Sequence, residues 1–267
     1  MTNPDRSTQP VNILEFEPLA RARLSPMAYE YLSGGGGNEV TLGLNRERFD
    51  AIFLQPRVLA DASAIDTGVE LFGRELPHPI LLAPTAFHKL FHPEGEIATA
   101  RGAAAAGATL VASTLSTTSI EEIARAAGGP LWFQLYVQRD RGFTRDLVQR
   151  AEKAGCQALV ITVDTPVLGT RDRERRAGMA LPAGLEMANL RGLEAAGGPS
   201  RPFHEGIYNP FLAADLTWKD VAEIRSWTKL PVLLKGILAP EDGLLALEHG
   251  AAGIIVSNHG GDRKSVV

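Results

Sequence analysis

Three side chains in the sequence have the types and positions that proton transfer and anion binding require. His259 follows the apolar run "GIIVSN", Asp164 ends "LVITVD" and Lys235 ends "PVLLK". The histidine is the best candidate for a general base because its unperturbed pKa, roughly 6.5, lies near working pH. A carboxylate beside it would orient the imidazole and stabilise its protonated form. The lysine is a candidate Schiff-base nucleophile or an electrostatic anchor for an anion.

These residues belong to a recurring pattern in which a short apolar run is followed by polar side chains. Helix-forming segments that end in glycine, such as "ARGAAAAG", precede several of the runs. Strands that alternate with helices favour βαβ units and a parallel sheet. The predicted strands are 80–83, 109–112, 131–135, 158–163, 231–235 and 253–257. The polar residues at or after their ends are Thr85, Ser113, Gln134, Tyr136, Thr162, Asp164, Lys235, Ser257 and His259.

The strand ends point to a barrel mouth. In a (β/α)8 TIM barrel, the carboxyl ends of all strands converge on one mouth, where active sites lie. The sequence therefore predicts an α/β fold of this type, with about six of the eight βα units present. A doubly wound sheet would also alternate strands and helices, but no GxGxxG motif follows the first strand.

Composition narrows the class of protein. The chain has 267 residues, of which 45% are hydrophobic and 22% charged, as is ordinary for a globular protein. Its net charge of −4 offers no basic field for nucleic acid or anionic lipid. We expect a cytoplasmic protein, because the N-terminus has no hydrophobic signal core and no apolar run is long enough to span a membrane. The single cysteine, Cys156, excludes an internal disulfide and is interpreted as a small buried hydrophobe.

Two other chemistries are weaker interpretations of the same residues. Asp164 and His259 could be two metal ligands, but no HExxH-like pair accompanies them, and we predict no metal. Glycosidase chemistry needs two close carboxylates, and only Asp164 stands at a predicted strand end. The remaining histidines are interpreted as surface or capped residues: His78, His88, His92, His204 and His249.

The segment before the first barrel strand has its own expected organisation. Residues 1–11 are expected to be disordered, and residues 12–78 to form a helical and hairpin segment that caps the barrel. A helix is predicted over about 15–32, ending in a flexible turn at the glycine run 33–37. "VELFGRELPHP" predicts a hairpin with Gly73-Arg74 at its tip.

The remainder of the chain divides into three parts. Residues 79–261 are predicted to form the partial barrel. The irregular segment 177–215 after the fourth strand is predicted to be a mobile loop. Residues 262–267, "DRKSVV", continue none of the patterns above and are interpreted as a tail foreign to the fold.

Six motifs in this order resemble those of the FMN-dependent 2-hydroxy-acid oxidases and dehydrogenases. This family includes glycolate and lactate oxidases and the L-lactate and mandelate dehydrogenases. The resemblance covers roughly residues 12 to 261. The motifs are "MAYEYLSGG", "LLAPTAFHKLFHPEGE", "WFQLYV", "ALVITVDTPVLGTRDRE", "PVLLKGI" and "AAGIIVSNHGG".

The resemblance implies oxidation of a small lactate-, glycolate- or mandelate-like 2-hydroxy acid to the 2-oxo acid, with the flavin N5 as hydride acceptor. His259 would take a proton from the substrate, with Asp164 as its partner. Tyr31 and Tyr136 would bind the substrate carboxylate or hydroxyl. Arg171, in "LGTRDRE", would be a further contact to the anion.

FMN is the cofactor that the resemblance implies. Its expected contacts are Pro84, Thr85, Ala86, Ser113, Gln134, Thr162, Lys235 and Ser257. The first three would place main chain near N5, and Ser113, Gln134 and Thr162 would bond the isoalloxazine edge. The fixed charge of Lys235 would stabilise the anionic reduced flavin.

The chain also departs from the family pattern. Leu115 stands where many relatives have an aromatic residue, which would widen the pocket. Asp262 stands where the family has an arginine that clamps the substrate carboxylate, and Arg263 comes one residue late. The two βα units that hold the FMN phosphate are absent after it. We therefore interpret the chain as truncated at its C-terminus or as the product of a misread gene.

These departures leave alternatives open. The chain could be an inactive fragment without turnover, because an unclosed sheet has two unpaired strand edges. It could also be another FMN- or phosphate-binding barrel, such as a relative of type 2 isopentenyl diphosphate isomerase. A homotetramer is expected for the family, but the missing barrel units put it in doubt for this chain.

Overall fold

One parallel sheet forms the centre of the protein. The computed structural model describes residues 9–166, 169–193 and 212–261. Six strands lie in sequential order, and each is parallel to its neighbours. They are β3 (Leu81–Leu82), β4 (Thr109–Ser113), β5 (Leu131–Leu135), β6 (Leu159–Thr162), β7 (Val232–Ile237) and β8 (Gly253–Val256). All six predicted strands are confirmed, and the unbroken order is that of a barrel wall.

Helices connect successive strands. They are α4 (Gly95–Ala105), α5 (Ile120–Ala126), α6 (Arg141–Lys153), α7 (Asp172–Arg176), α8 (Trp218–Ser226) and α9 (Pro240–Glu248). The larger hydrophobic cluster contains side chains from both the sheet and these helices, such as Phe133, Leu147 and Leu159. No helix in the described part of the chain is long and apolar enough to cross a membrane.

The face of the sheet opposite the helices carries two layers of side chains that differ in polarity. A small apolar cluster contains one residue from each of four neighbouring strands, namely Val111, Trp132, Val160 and Leu233. Side chains two residues apart on a strand share a face. The positions two residues further on are all polar: Ser113, Gln134, Thr162 and Lys235. The strands therefore place a polar layer directly above an apolar one, on the side of their carboxyl ends.

The prediction of one helix over 15–32 is wrong, because the structure has two helices there. These are α1 (Phe16–Arg23) and α2 (Pro26–Ser33). The Ser25 side chain accepts a hydrogen bond from the Ala28 N–H and starts α2, and Pro26 occupies its first position. A further helix, α3 (Val40–Asp50), was not predicted.

The predicted hairpin is present, but its tip lies one residue earlier. Strands β1 (Val69–Leu71) and β2 (Arg74–Leu76) pair antiparallel, with Leu71 opposite Arg74. The turn is therefore Phe72-Gly73, and both residues have positive φ, at 52° and 75°. Two-residue hairpin turns of this type need positive φ at both positions, which glycine provides without strain.

The glycine run after α2 is a packed junction, not the flexible turn expected from sequence. The Gly36 N–H donates to the Gly261 carbonyl at 2.9 Å, and the Gly37 N–H donates to the Thr170 carbonyl at 2.7 Å. A Cβ on Gly35 would lie 3.0 Å from the Gly261 oxygen. The run therefore brings the N-terminal segment against the chain beyond β8.

Several predictions fall partly or wholly outside the described residues. These are the disorder of 1–8, the middle of the predicted loop at 194–211, and the tail 262–267 with Asp262 and Arg263. In the described first part of that loop, Asn189 is fully buried. Its side chain accepts a hydrogen bond from the Ile120 N–H at 2.8 Å, so this part is packed against α5.

Candidate active site

The polar layer of the sheet forms a connected floor. The Ser113 hydroxyl donates to Gln134 Oε1 at 3.2 Å, and Gln134 Nε2 donates to the Thr162 hydroxyl at 2.9 Å. Lys235 stands opposite Thr162 in the register of β6 and β7 and is 8% exposed. The sequence correctly indicated that these strand-end groups lie together.

His259 and Asp164 form a hydrogen-bonded pair at the edge of this floor. His259 Nδ1 lies 2.9 Å from Asp164 Oδ1 and 3.1 Å from Oδ2. Because a carboxylate only accepts, Nδ1 carries the hydrogen, and Nε2 of the neutral ring keeps its lone pair. Nε2 lies 3.2 Å from the Tyr136 hydroxyl. The sequence predicted all three residues, and the structure brings them together across the sheet.

Backbone geometry holds this pair in place. His259 has a positive φ of 60°, and its N–H donates to the Ser257 hydroxyl at 3.0 Å. Gly236 has a φ of 108°, and a Cβ there would collide with the Asp164 side chain. Only glycine lets β7 approach Asp164 this closely. Sequence reasoning missed Gly236, although "LLKGI" contains it directly after the lysine.

Two further elements border the floor. Pro84, Thr85 and Ala86 follow β3, and the next residue, Phe87, is fully buried with a φ of 60°. The Phe87 N–H donates to the Leu115 carbonyl at 3.2 Å, which joins this loop to the end of β4.

The N-terminal segment supplies the opposite border. Tyr31, on α2, is 8% exposed, and the Arg171 guanidinium lies 5.1 Å from the centre of its ring. Arg171 also donates to the carbonyls of Tyr31 and Gly34, at 2.7 and 3.0 Å, and pairs with the buried Glu174 at 2.6 Å. Sequence reasoning predicted Arg171 but not its carboxylate partner.

These borders enclose one cleft of about 710 Å³, counted to its open side. Eleven of the thirteen predicted site residues line it: Tyr31, Pro84, Thr85, Ala86, Ser113, Gln134, Tyr136, Thr162, Arg171, Lys235 and His259. Asp164 and Ser257 are not among the lining residues of the described chain, and each contacts His259 instead.

A match to the sequence model of a protein family identifies the class of protein. The model described as FMN-dependent dehydrogenase matches residues 20–265. The chain belongs to this family.

Individual relatives agree with this assignment. The chain is 47% identical over 261 residues to the L-lactate oxidase of Nostoc sp. (strain PCC 7120), covering 95% of this chain and 72% of that one. It is 42% identical over 253 residues to the glycolate oxidase of Spinacia oleracea, covering 93% and 68%. A structure of mandelate oxidase with (S)-2-phenylpropionate superposes with a TM-score of 0.85 at 42% identity, covering 96% and 70%.

The cleft fits the flavin of an FMN-dependent dehydrogenase. Flavin rings carry hydrogen-bonding groups along one edge and gain negative charge on reduction. The floor offers two hydroxyls, an amide and a fixed cation, from Ser113, Thr162, Gln134 and Lys235. Within residues 9–166, 169–193 and 212–261, no group of three or more His, Cys, Asp or Glu side chains could hold a metal ion.

A buried carboxylate behind the cleft was missed by sequence reasoning. Glu96, 2% exposed on α4, accepts hydrogen bonds from the main chain and hydroxyl of Thr117, the hydroxyl of Thr118 and the His88 N–H. Burial alone would raise the pKa of Glu96, but the bonds from Thr117 and Thr118 outweigh it and lower that pKa. Glu96 therefore stays ionised and ties two cleft-bordering loops to α4.

A second missed group lies on α7. Arg173 contacts Glu30, Ser33 and Glu39, which belong to α2 and the turn after it. The hydrogen bond to Glu30 raises the pKa of Arg173. The Gly35 N–H, with Arg173 in addition, lowers the pKa of Glu39. Arg173 and Glu39 are therefore both charged at neutral pH.

Proposed function

We propose that this chain binds FMN in the cleft and oxidises a small 2-hydroxy acid to the corresponding 2-oxo acid. The observation that carries the proposal is the His259–Asp164 pair, with Nε2 of the imidazole beside the Tyr136 hydroxyl in a cleft floored by Lys235. Lactate, glycolate and mandelate, after which the relatives are named, are all 2-hydroxy acids.

The cofactor would lie on the polar floor. Main chain of Pro84, Thr85 and Ala86 would face the ring, and Ser113, Gln134 and Thr162 would bond its edge. Lys235 would supply the positive charge, since a preorganised cation stabilises charge where it develops. Ser257 would act through the His259 backbone that it holds. When bound, FMN supplies the two-electron acceptor that the side chains lack.

His259 would act as the base. Oxidation of an alcohol to a carbonyl removes two electrons and two protons. A neutral imidazole can take one of those protons at Nε2, and the other would leave with the two electrons for the flavin. Asp164, hydrogen-bonded to Nδ1, would stabilise the resulting imidazolium and hold the ring in place. The Tyr136 hydroxyl, 3.2 Å from Nε2, would orient the substrate hydroxyl at the same point.

The substrate carboxylate would lie towards α2. Tyr31 and Arg171 border that side of the cleft, and the positive charge of Arg171 would attract the carboxylate. The buried Glu174 pairs with Arg171 at 2.6 Å and fixes the direction of its guanidinium. Leu115 borders the same cleft and offers an apolar wall to the substrate side chain.

A spectroscopic assay tests the proposal. The purified chain is loaded with FMN, and L-lactate, glycolate or mandelate is added without oxygen. We expect at least one acid to bleach the visible flavin band, and the matched acid without the 2-hydroxyl (propionate, acetate or phenylacetate) to leave it unchanged. Bound flavin that no 2-hydroxy acid bleaches would support the inactive chain instead. Failure to bind FMN at saturating concentration would contradict the cofactor assignment.

A further inference from the structure

Arg173 holds one segment of the chain through several acceptors at once. Its guanidinium donates to Glu30 Oε2 at 2.5 Å, the Ser33 hydroxyl at 2.9 Å, the Ser33 carbonyl at 3.3 Å and Glu39 Oε1 at 3.1 Å. Glu39 Oε1 also accepts the Gly35 N–H at 2.9 Å. One side chain on α7 thus fixes both the end of α2 and the glycine turn that follows.

The segment it holds borders the cleft on two sides. Tyr31 and Gly34 lie within it, and both line the cleft. Gly36 donates to the carbonyl of Gly261, two residues after His259. A displacement of this segment would therefore move the wall that faces the substrate.

Arg171 and Arg173 cannot replace each other in this role. Arg171 is the residue before α7 and has a non-helical backbone (φ −110°, ψ 87°), whereas Arg173 lies in the first turn of the helix. Arg171 lies in the cleft against the Tyr31 ring, whereas Arg173 contacts Glu30 and Glu39 on side chains that are about a third exposed.

The exposure of this network means that it contributes little to global stability. Ion pairs that are partly exposed contribute little to the free energy of unfolding because water screens them. An arginine fork that meets several acceptors is nevertheless geometrically specific, and lysine cannot reproduce it. Substitution of Arg173 should therefore leave the fold intact and alter local order.

We propose that Arg173 is a positioning residue for substrate binding, which acts by fixing α2 and the glycine turn so that Tyr31 and Arg171 form one wall of the cleft. This inference rests on the proposed function for its substrate, a 2-hydroxy acid, but not for the ordering of the segment. The effect belongs on KM, because Arg173 contacts α2 and the turn after it, whereas His259 and Asp164 follow β8 and β6.

The test compares Arg173→Gln, Arg173→Lys and the control Arg191→Gln with the unsubstituted chain. Arg191 pairs with Glu186 on the surface, and both side chains are more than half exposed. We expect Arg173→Gln to raise KM about tenfold or more, since small misplacements in a site cost up to about a hundredfold. The value of kcat should change much less, Arg173→Lys should restore part of KM, and Arg191→Gln should change neither.

A double variant makes the test sharper. If Arg173 acts through Glu39, the combined Arg173→Gln and Glu39→Gln variant should have a KM no higher than the more affected single variant. Fully additive effects on KM, an unchanged KM in Arg173→Gln, or an equal effect of Arg191→Gln would each overturn the proposal.

Hydrogen exchange separates this inference from the proposed function. Amides of residues 26–39 should exchange faster in Arg173→Gln, whereas those of α6 should not change. If the unsubstituted chain bleaches no flavin, the proposed function fails, and exchange still decides whether Arg173 orders the segment. Unchanged exchange at 26–39 would contradict the ordering role whatever the activity.

Discussion

Two buried carboxylates, Asp164 and Glu96, lie at the same end of the sheet and have opposite surroundings. Asp164, 7% exposed, contacts an imidazole whose other nitrogen opens into the cleft. Glu96, 2% exposed, is surrounded by hydroxyl and amide donors from Thr117, Thr118 and His88. Asp164 is hydrogen-bonded to a ring that can gain and lose a proton, whereas Glu96 accepts hydrogen bonds from amide and hydroxyl groups that cannot.

The difference separates a reactive site from a structural anchor. A carboxylate paired with a base in a cleft stabilises a charge that forms during a reaction. A carboxylate held by main-chain and threonine donors keeps one charge state and joins the elements that donate to it. Burial alone therefore does not identify the functional carboxylate. The feature that identifies it is a hydrogen-bonded partner that can gain and lose a proton.

The largest expected effect tests the reactive side of this comparison. His259→Gln removes the group that accepts the proton, and general base catalysis contributes about 10²–10⁴-fold. We expect turnover of the FMN-loaded chain to fall by that factor, with FMN affinity and the unfolding midpoint retained. Steady-state rates measure turnover, flavin titration measures FMN affinity, and urea unfolding gives the midpoint. Unchanged turnover would assign the base elsewhere.

The next effect tests the structural side. Glu96→Gln preserves shape but removes the charge that four hydrogen bonds stabilise. Losing hydrogen bonds to a charged group should lower the free energy of unfolding by about 1–3 kcal/mol. Urea unfolding gives this value, with exposed Glu94→Gln as the control. Equal stability of the two variants would remove Glu96 from its anchoring role.

The pH dependence of stability sharpens the same assignment. Because the folded pKa of Glu96 lies below 4.5, its ionised form stabilises the fold above about pH 4.5. That contribution disappears as pH falls through the folded pKa. The stability difference between the unsubstituted chain and Glu96→Gln should therefore shrink in acid. A constant difference across the titration would mean that the charge of Glu96 contributes nothing.

The smallest effect concerns a third buried titratable group. Burial, with the nearby negative charge of Glu121 in addition, raises the pKa of the Cys156 thiol to about 12. The thiol should not react with a disulfide reagent at neutral pH until the chain unfolds, since only the thiolate attacks. Rapid reaction in the folded protein would contradict this environment.

Sequence patterns predicted the central sheet because its strands are short apolar runs, which in β4 to β7 are buried on both faces. They also predicted the site wherever a polar side chain follows such a run, as with Gln134, Thr162 and Asp164. Each of these follows from a strand period of two and a shared sheet edge. The resemblance to a known family then supplied Tyr31 and Arg171, which no strand pattern indicates.

The residues that sequence reasoning missed act through contacts between distant segments. Glu96 lies on a helix, and its partners are 8 to 22 residues away in the chain. Arg173 meets Glu30 across 143 residues. The glycine run looked flexible because glycine ends helices, but its small size lets it pack against Gly261. Such pairings depend on tertiary packing, which local propensity does not contain.

The most direct test of the account measures Asp164→Asn and Glu96→Gln side by side. Each variant is loaded with FMN, and both the rate of anaerobic flavin reduction by the preferred 2-hydroxy acid and the unfolding midpoint in urea are recorded. We expect Asp164→Asn to slow reduction by about a hundredfold or more, while its stability falls less than that of Glu96→Gln. Glu96→Gln should reduce its flavin at the unsubstituted rate and unfold earlier. The same loss of rate in both variants, or full activity of Asp164→Asn, would contradict it.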